Sequence, residues 1–391
     1  MKFKPLSNNT PSTPIRVLQI FTGLGRAGAE SMIMNYYRSV DKTKVQFDFL
    51  VHREEEGAFE EEIRNLGGAI YRVPRITSHL KYRKALQNFL KKTDYKIIHS
   101  HIDSYSYWVL KYAKKYNLPV RIIHSHIAVN ISLKKMFLSK SDFIRGLKSI
   151  SQHVLKFGIK KHATHFFACG EKAGKYMYGK NSTAFTIIRN AINSNDFKLN
   201  LKTRNAIRNQ LDIGENEFLI GHIGRFAIQK NHIFLIHIFK EILKLNENCT
   251  LILVGDGDLK TKMIQEVEKL GIQSKVNFLG VRKDVANLLQ AFDLFLFPSI
   301  FEGLPVTMVE AQVSGLPIVA STAITKEVNI TDLVTYVDLK KSHAEWAQIS
   351  LEKMNSTKRY NRSEEIIKSG YDIKVNAKKL QDFYLDQQPI T

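Results

Sequence analysis

Two polar loops in the second half of the chain combine cations and carboxylates at short spacing. Arg225 and Lys230 lie in 221-GHIGRFAIQKNH-232, where a guanidinium and an ammonium group could together neutralise a diphosphate. Glu302 precedes a Gly-Leu-Pro turn that opens a predicted helix, and Glu310 follows about two helical turns later. A carboxylate at that depth in an apolar helix is costly to bury unless it has hydrogen-bonding partners, and ribose hydroxyls would provide them.

The turn after the first of these glutamates is a candidate anion site. It consists of Gly303, Leu304, Pro305 and Val306. Because this turn leads into a predicted helix, the N–H groups of residues 303–306 should face a bound anion together with the helix dipole. Both loops, and a third around Gly255, follow predicted parallel strands, whose carboxyl ends share one edge of a sheet. The three loops therefore predict one site.

The third loop, 251-LILVGDGDL-259, contains a candidate metal motif. Asp256 and Asp258 match the Asp-x-Asp pattern that chelates divalent cations, but they follow a glycine in a tight strand-to-helix turn. Asp and Gly are favoured there as turn and N-cap residues. Cys169 and Cys249 lie far apart, without the spacing of a zinc site. We predict no metal site.

Short apolar runs alternate with helix-length amphipathic segments along the whole chain. The predicted strands of the first series are Val17–Phe21, Val45–Val51, Ala69–Val73, Ile97–His99, Val120–His124 and Phe166–Ala168. Those of the second series are Phe218–Ile223, Thr250–Val254, Val276–Leu279, Leu294–Phe297 and Pro317–Ala320. This alternation predicts two α/β domains with parallel sheets covered by helices, divided in the polar stretch 193–211. A ligand is expected in the cleft between them.

The loops taken together resemble a known family. "GRFAIQKNH", "LILVGDGDL", "FDLFLFPS" and "FEGLPVTMVEAQVSGLPIVAS" closely resemble the retaining, metal-independent GT-B glycosyltransferases with a Glu-x7-Glu motif (group 1, glycosyltransferase family 4). Within that family the chain is similar to enzymes of bacterial exopolysaccharide and capsule synthesis. The resemblance extends from about Ile15 to about Leu385. It implies a GT-B fold, in which two Rossmann-like domains face each other across a cleft.

The resemblance also predicts how the chain is divided. A polar tail at 1–14 precedes an acceptor-binding domain at 15–195 and a nucleotide-sugar-binding domain at 196–370. A C-terminal helix within 371–391 is expected to cross back to the first domain.

Individual residues of the second domain match positions of known role in the family. Arg225 and Lys230 match the pair that grips the donor's diphosphate, and Glu302 matches the glutamate at the donor sugar. Glu310 matches the ribose ligand. Arg282 lies in the segment that holds the nucleotide base, mostly through its backbone. The other predicted contacts to the nucleotide-sugar are Gly255, Gly303, Leu304, Pro305 and Val306.

The first domain is expected to supply a glycine turn and a histidine. The stretch 23-GLGRAGAE-30 lacks the G-x-G-x-x-G spacing of a dinucleotide site, and the resemblance makes Gly28 the residue where the backbone approaches the donor phosphates. His126, in 121-RIIHSHIA-128, matches the active-site histidine that faces the donor sugar. His124 is one strand period away and is the alternative; without the family context, a core histidine with satisfied hydrogen bonds is the better interpretation of either.

The chain is strongly basic, with a formal net charge of +21 and a pI near 9.7, which favours anionic partners. Between residues 131 and 162 there are eight Lys or Arg, interleaved with apolar residues, against one acid. This basic segment predicts binding to an anionic membrane surface; a solvated face on an ordinary helix is the alternative. The first fourteen residues lack the apolar core of a signal peptide. We predict a cytoplasmic protein at the inner face of the cell membrane.

The activity implied is transfer of a sugar, with retention, from a nucleotide-sugar to a hydroxyl of a lipid-linked or growing saccharide. A UDP-sugar is the expected donor, with no metal or other cofactor. A sugar-nucleotide epimerase of the same architecture is the alternative enzyme. A non-enzymatic nucleic-acid-binding protein would explain the charge, but the sequence has no zinc-ligand set, RNP-like strand or aromatic-basic repeat.

Overall fold

The computed structural model describes residues 13–126, 155–179, 182 and 184–387. The chain divides into two compact units. Unit 1 comprises Met1–Asn190 together with Ile373–Thr391, and unit 2 comprises Ala191–Asp372. Most of the predicted basic segment, residues 131–154, lies outside the described residues.

The described part of unit 1 is built on seven parallel strands. They are β1 (Ile15–Phe21), β2 (Val45–Val51), β3 (Ile70–Arg72), β4 (Ile97–Ser100), β5 (Val120–Ser125), β6 (His165–Ala168) and β7 (Thr186–Ile187). Their order in the sheet is β3-β2-β1-β4-β5-β6-β7. All seven residues of β2 are buried, as expected for a parallel sheet with helices on both faces. The helices of this region are α1 (Gly28–Ser39), α2 (Glu60–Asn65), α3 (His79–Lys91), α4 (Ser106–Lys115) and α5 (Glu171–Tyr178).

Unit 2 repeats this plan with six parallel strands. They are β8 (Phe218–Ile223), β9 (Cys249–Val254), β10 (Val276–Gly280), β11 (Leu294–Phe297), β12 (Ile318–Ser321) and β13 (Val334–Val337), in the order β10-β9-β8-β11-β12-β13. The helices are α6 (Leu201–Gln210), α7 (His232–Leu245), α8 (Lys260–Lys269), α9 (Val285–Ala291), α10 (Val306–Val313), α11 (His343–Ser356) and α12 (Ser363–Lys368). The last helix, α13 (Ile373–Asp386), belongs to unit 1, where it packs against α1 and β2.

The predicted strands are confirmed with small shifts at their ends. The structure adds two that were not predicted, β7 and β13. β7 has only two residues, and β13 is a half-buried edge strand whose pattern is less apolar than that of the central strands. Among the described residues, no helix combines the length and apolarity that crossing a bilayer requires.

Strand order also decides where the candidate residues meet. In unit 1 the connections reverse direction between β1 and β4, and in unit 2 they reverse between β8 and β11. At such a point two loops leave adjacent strands on opposite faces of the sheet and open a crevice at the carboxyl edge. In unit 2 this is the edge with the loops of Lys230 and Glu302.

Candidate active site

The loops after β8 and β9 are held together by contacts that require glycine. Gly255 has φ +138°, and a Cβ atom there would lie 2.2 Å from the Gly224 carbonyl oxygen. The Gly255 N–H donates to the Gly280 carbonyl at 2.8 Å, and the Phe226 N–H donates to the Asp256 carbonyl at 3.0 Å. Gly255 is also a predicted nucleotide contact. Its positive φ and the close approach to Gly224 already explain why this position is glycine.

Lys230 and Glu302 form an ion pair between the loops after β8 and β11. Lys230 Nζ lies 2.8 Å from Glu302 Oε1, and Gln229 Nε2 donates to Glu302 Oε2 at 3.0 Å. The Ile300 N–H donates to the Gln229 carbonyl at 2.8 Å, which joins the two loops through their backbones. The Lys230 ammonium also lies 4.8 Å from the centre of the Phe297 ring. Both side chains are largely buried, at 16% and 9% exposure. Each charge therefore needs the opposite charge to offset the cost of its desolvation.

Arg225 is exposed on the same loop. Within the described ranges its guanidinium has no ion-pair or hydrogen-bond partner. The structure therefore brings Arg225 and Lys230 to one loop but leaves only the arginine free for a ligand.

The turn after Glu302 leads into α10, which begins at Val306. Pro305 has no N–H, so only Gly303, Leu304 and Val306 can donate from this turn. None of these three N–H groups has an acceptor among the described residues. The predicted anion site therefore has three backbone donors rather than four.

Glu310 lies one turn into α10 and is half-buried. Burial raises the pKa of its carboxyl to about 7. The described residues offer it no cation and no hydrogen-bond donor. A hydrogen-bonding ligand would therefore favour its ionised form.

Arg282 and Gly28, two further predicted contacts to the nucleotide-sugar, differ in what surrounds them. Arg282, after β10, donates to both carboxylate oxygens of Asp284, at 2.8 and 2.6 Å. Its guanidinium is therefore hydrogen-bonded within its own loop. Gly28 begins α1, and a Cβ atom there would meet nothing within 4 Å. The protein's own packing therefore does not require glycine at 28.

A cluster of four histidines lies at the carboxyl end of β4 and β5 in unit 1. It consists of His99, His101, His124 and His126. His101 Nδ1 lies 2.9 Å from His126 Nε2, and His99 Nε2 lies 3.2 Å from His124 Nδ1. His124 is fully buried and His126 half-buried. Burial lowers the pKa of His126 to about 3 and takes the pKa of the other three rings well below its usual value. The two candidates for the active-site histidine thus belong to one neutral cluster.

Sequence reasoning did not identify His99 and His101, although a signal was present. The hexapeptide IIHSHI occurs at residues 97–102 and again at 122–127. Alternate residues of a strand share a face, so two neighbouring strands with this motif bring four imidazoles to the same face.

Three rings of the histidine cluster also lie close enough together to be considered as metal ligands. In the described part of the chain, one nitrogen each from His99, His101 and His124 lies within 4.8 Å of the others. Nitrogens of these rings already face one another or nearby polar side chains at hydrogen-bond distance. Asp256 and Asp258 are both exposed in their turn, where the Gly257 N–H donates to Asp256 Oδ1 at 2.9 Å.

Comparison with known proteins identifies the family of the chain. The family model "Glycosyl transferases group 1" matches residues 203–369. The putative glycosyltransferase EpsF of Bacillus subtilis (strain 168) is 33% identical over 383 residues, covering 95% of this chain and 97% of its own. The chain therefore belongs to the group 1 glycosyl transferases, and the family resemblance predicted from its loops is confirmed.

More distant relatives also align over most of their length. The capsular polysaccharide biosynthesis glycosyltransferase CapH of Staphylococcus aureus is 24% identical, covering 95% of this chain and 99% of its own. The UDP-Gal:alpha-D-GlcNAc-diphosphoundecaprenol alpha-1,3-galactosyltransferase of Escherichia coli is 23% identical, covering 87% and 89%.

A solved structure supports the fold. The crystal structure of Anabaena Alr3699/HepE in complex with UDP and glucose superposes with a TM-score of 0.72 at 18% identity, covering 95% of this chain and 100% of that one. The two parallel-sheet α/β units of this chain are those of the GT-B fold, as predicted.

Proposed function

We propose that this glycosyltransferase moves a sugar from a UDP-sugar to a hydroxyl of a lipid-linked or growing saccharide, with retention and without a metal, in the synthesis of a cell-surface polysaccharide. The observation that carries the proposal is the edge of unit 2, where the Lys230–Glu302 pair adjoins three backbone N–H groups that have no acceptor among the described residues. This combination suits a ligand with a diphosphate next to a polyhydroxylated ring.

Binding of the donor would redistribute the charges of the ion pair. Lys230 would turn part of its interaction from Glu302 toward the diphosphate, which Arg225 would also bind. Glu302 would then accept hydrogen bonds from sugar hydroxyls. The free N–H groups of Gly303, Leu304 and Val306 would donate to the phosphate or the sugar.

The reaction breaks the bond between the anomeric carbon and the diphosphate oxygen and forms a bond from that carbon to the acceptor oxygen. Negative charge develops on the departing diphosphate, so Arg225 and Lys230 stabilise the transition state where a metal would otherwise be needed. The departing phosphate takes the proton of the acceptor hydroxyl, and His126 orients the donor sugar.

UDP and the lipid-linked acceptor rest on relatives. The E. coli relative is named for UDP-Gal and a diphosphoundecaprenol acceptor, and the Anabaena structure holds UDP and glucose. The polysaccharide role rests on CapH, whose name states capsular polysaccharide biosynthesis.

A screen of nucleotide-sugars for protection against thermal unfolding tests the donor. A ligand that binds only the folded protein raises its stability by mass action, so a UDP-sugar should raise Tm and Lys230→Ala should abolish the rise. Lys262→Ala, an exposed lysine of α8 in the same unit, is the matched control. No protection by any nucleotide-sugar would contradict the proposal, and an epimer formed from donor alone would favour an epimerase.

An anionic membrane surface is the proposed location of the acceptor. Lys160 and Lys161 at the end of the basic segment are exposed, and Phe157 beside them is 71% exposed. Each lysine near an anionic surface contributes on the order of 1 kcal/mol.

Vesicle binding tests this location. Changing Lys134, Lys135, Lys160 and Lys161 to Gln should move the protein from anionic vesicles to the soluble fraction while a short water-soluble acceptor is still used. The matched control changes Lys262, Lys269, Lys283 and Lys340, exposed in unit 2, to Gln. Equal vesicle binding by both variants would refute the role of the basic segment.

A further inference from the structure

The repeated hexapeptide forms paired rings because its two copies are offset in the sheet. In the register of β4 and β5, His99 lies opposite Ile122, two residues before His124. A ring nitrogen of His99 and one of His101 each lie at hydrogen-bond distance from the histidine 25 residues further along the chain. The His124 and His126 rings stack with their centres 4.2 Å apart. Gln19 on β1 lies beside His99 in the same sheet.

The first chain of hydrogen bonds runs from Gln19 through His101 to His126. His101 Nε2 lies 2.9 Å from Gln19 Oε1, and an amide oxygen only accepts, so His101 carries its proton on Nε2. Its pKa is lowered by burial, so the ring is neutral and its Nδ1 accepts. His126 Nε2 must then donate at 2.9 Å, which leaves His126 Nδ1 as a lone pair.

The second chain runs from Tyr384 of α13 through His99 to His124. In the structure the Gln19 amide is oriented with its Nε2 toward Tyr384 Oη, at 3.4 Å, and its Oε1 toward His101. Tyr384 Oη lies 2.6 Å from His99 Nδ1. His99 Nε2 in turn lies 3.2 Å from His124 Nδ1. Gln19 thus contacts both chains, through its amide oxygen at His101 and its amide nitrogen at Tyr384.

Each chain ends on a ring nitrogen that lacks a partner. His126 Nδ1 and His124 Nε2 are buried and form no hydrogen bond within the described residues. An unpaired buried polar atom costs about 1–3 kcal/mol, which a bound ligand could recover. With the Gln19 oxygen facing His101, the first chain leaves a lone pair on His126 Nδ1.

We propose that Gln19 is a positioning residue that, through His101, holds His126 as the Nε2–H tautomer, so that its Nδ1 lone pair accepts a hydrogen bond from a hydroxyl of the bound sugar. This inference rests on the proposed function, because the hydroxyl is that of the sugar being transferred. It assigns His126 the role of hydrogen-bond acceptor rather than proton donor. Gln19 acts through other residues and does not touch the substrate.

The first experiment measures the tautomers directly. The ligand-free protein is labelled with ¹⁵N-histidine, and long-range ¹H–¹⁵N spectra separate protonated from unprotonated ring nitrogens. His126 is assigned from the signals lost in His126→Gln. We expect Nε2 protonated and Nδ1 unprotonated in the wild type. Protonation on Nδ1, on both nitrogens, or binding of a metal ion by the purified protein at this cluster would overturn the proposal.

Gln19→Leu then tests the part played by the amide. We expect His126 to lose its single tautomer and kcat to fall about tenfold, with the donor KM changed less than about twofold. Gln381→Leu is the matched control, because Gln381 is also a buried glutamine of unit 1, and its Oε1 accepts from the Asp41 N–H at 2.7 Å away from the histidines. The control should keep wild-type tautomers and turnover.

The outcomes separate this inference from the proposed function. A wild-type tautomer or wild-type kcat in Gln19→Leu would refute the positioning role even if glycosyl transfer is confirmed. If no donor supports transfer, the proposed function fails, and so does the assignment of a sugar hydroxyl as the partner of His126. The tautomer measurement on the ligand-free protein does not depend on that result. If Gln19→Leu does not fold, the wild-type spectrum decides, since it needs no variant.

Discussion

Unit 1 and unit 2 reverse their strand order in the same way, between β1 and β4 in one and between β8 and β11 in the other. The polar groups beside these two points differ in kind. Unit 1 has neutral imidazoles that are bonded to each other, to Gln19 and to Tyr384. Unit 2 has the charged pair of Lys230 and Glu302, with Arg225 free beside it.

The difference follows from the cost of burying charge. Neutral rings can be buried completely when their hydrogen bonds are mostly satisfied, and His99, His101 and His124 are buried. Burying an ammonium or a carboxylate costs more solvation free energy than burying a neutral ring. Lys230 and Glu302 therefore stay partly exposed and form an ion pair with each other. One sheet topology therefore supports directional hydrogen bonding in unit 1 and charge neutralisation in unit 2.

The largest effect is expected at the charged pair. Lys230→Ala should lower kcat by roughly two to three orders of magnitude, about 3 to 4 kcal/mol, because the developing charge on the diphosphate loses its cation. Steady-state kinetics on the folded variant checks this, with Lys262→Ala as control. Near-normal turnover would show that the pair does not serve the leaving group.

A further variant separates catalysis from structure at this pair. Lys230→Ala leaves Glu302 largely buried without its cation, so it should also lower the free energy of unfolding. Adding Glu302→Gln should recover stability without recovering turnover. Recovery of both would mean that the single variant lost activity through its fold.

The next effect is acid sensitivity of the neutral histidines. Burial lowers the pKa of His52 to about 4, below its unfolded value, so the stability it contributes is complete above about pH 6.5 and is lost as pH falls toward the folded pKa. Below pH 6.5 the free energy of unfolding should fall less steeply with decreasing pH in His52→Phe than in the wild type, by about 1.4 kcal/mol per pH unit. Denaturant unfolding between pH 7 and pH 5 measures this. His79→Phe, at an exposed histidine, should not change the slope.

The same measurement compares the two units. Among the described residues, unit 1 has four buried histidines with lowered pKa and unit 2 has two: His52, His99, His101 and His124 against His222 and His232. Hydrogen exchange, corrected for its intrinsic pH dependence, should show unit 1 losing more protection on acidification. Equal losses would remove this distinction between the units.

A smaller effect is expected at Glu310. Ribose hydroxyls that donate to its carboxylate favour the ionised form, so UDP binding near pH 7 should release protons, and the release should vanish above about pH 8. Calorimetry in buffers of different ionisation enthalpy counts the protons. Glu310→Gln should abolish the release and Glu268→Gln, at an exposed position on α8, should retain it. Proton uptake on binding would contradict the assignment.

The smallest effect is expected in the loop after β9, which contains Asp256 and Asp258. Activity should survive excess chelator, and Asp258→Asn should change turnover less than about twofold, because turn residues exposed to solvent are usually replaceable. Chelator titration with added manganese or magnesium checks this. Loss of activity with rescue by either ion would show that a metal is required.

Much of unit 2 could be predicted from the sequence. The apolar runs at β8 and β11 are bounded by glycine and proline, and parallel strands place the following loops at one edge. Lys230 and Glu302 were therefore expected in the same site. Their direct pairing was not expected, nor was the pairing of Arg282 with Asp284, because a side chain's partner depends on loop conformation rather than strand order.

Less of unit 1 could be predicted. The IIHSHI repeat is visible in the sequence, but only the register of β4 and β5 decides that His99 Nε2 lies at hydrogen-bond distance from His124 Nδ1. The family resemblance gave His126 as the active-site histidine, and strand spacing gave His124 as the alternative. The structure makes them ends of two separate chains of hydrogen bonds.

The sequence by itself determined the parallel α/β architecture, the family and the loops that carry charge, because apolar periodicity and short loop spacings are local properties. The tertiary structure decided the direction of the hydrogen bonds in unit 1. Gln19 is 82 residues from His101 in the chain, and Tyr384 is 285 residues from His99. Which nitrogen of a neutral imidazole carries the proton depends on whether its neighbour donates or accepts, and packing of β1, β4, β5 and α13 chooses those neighbours.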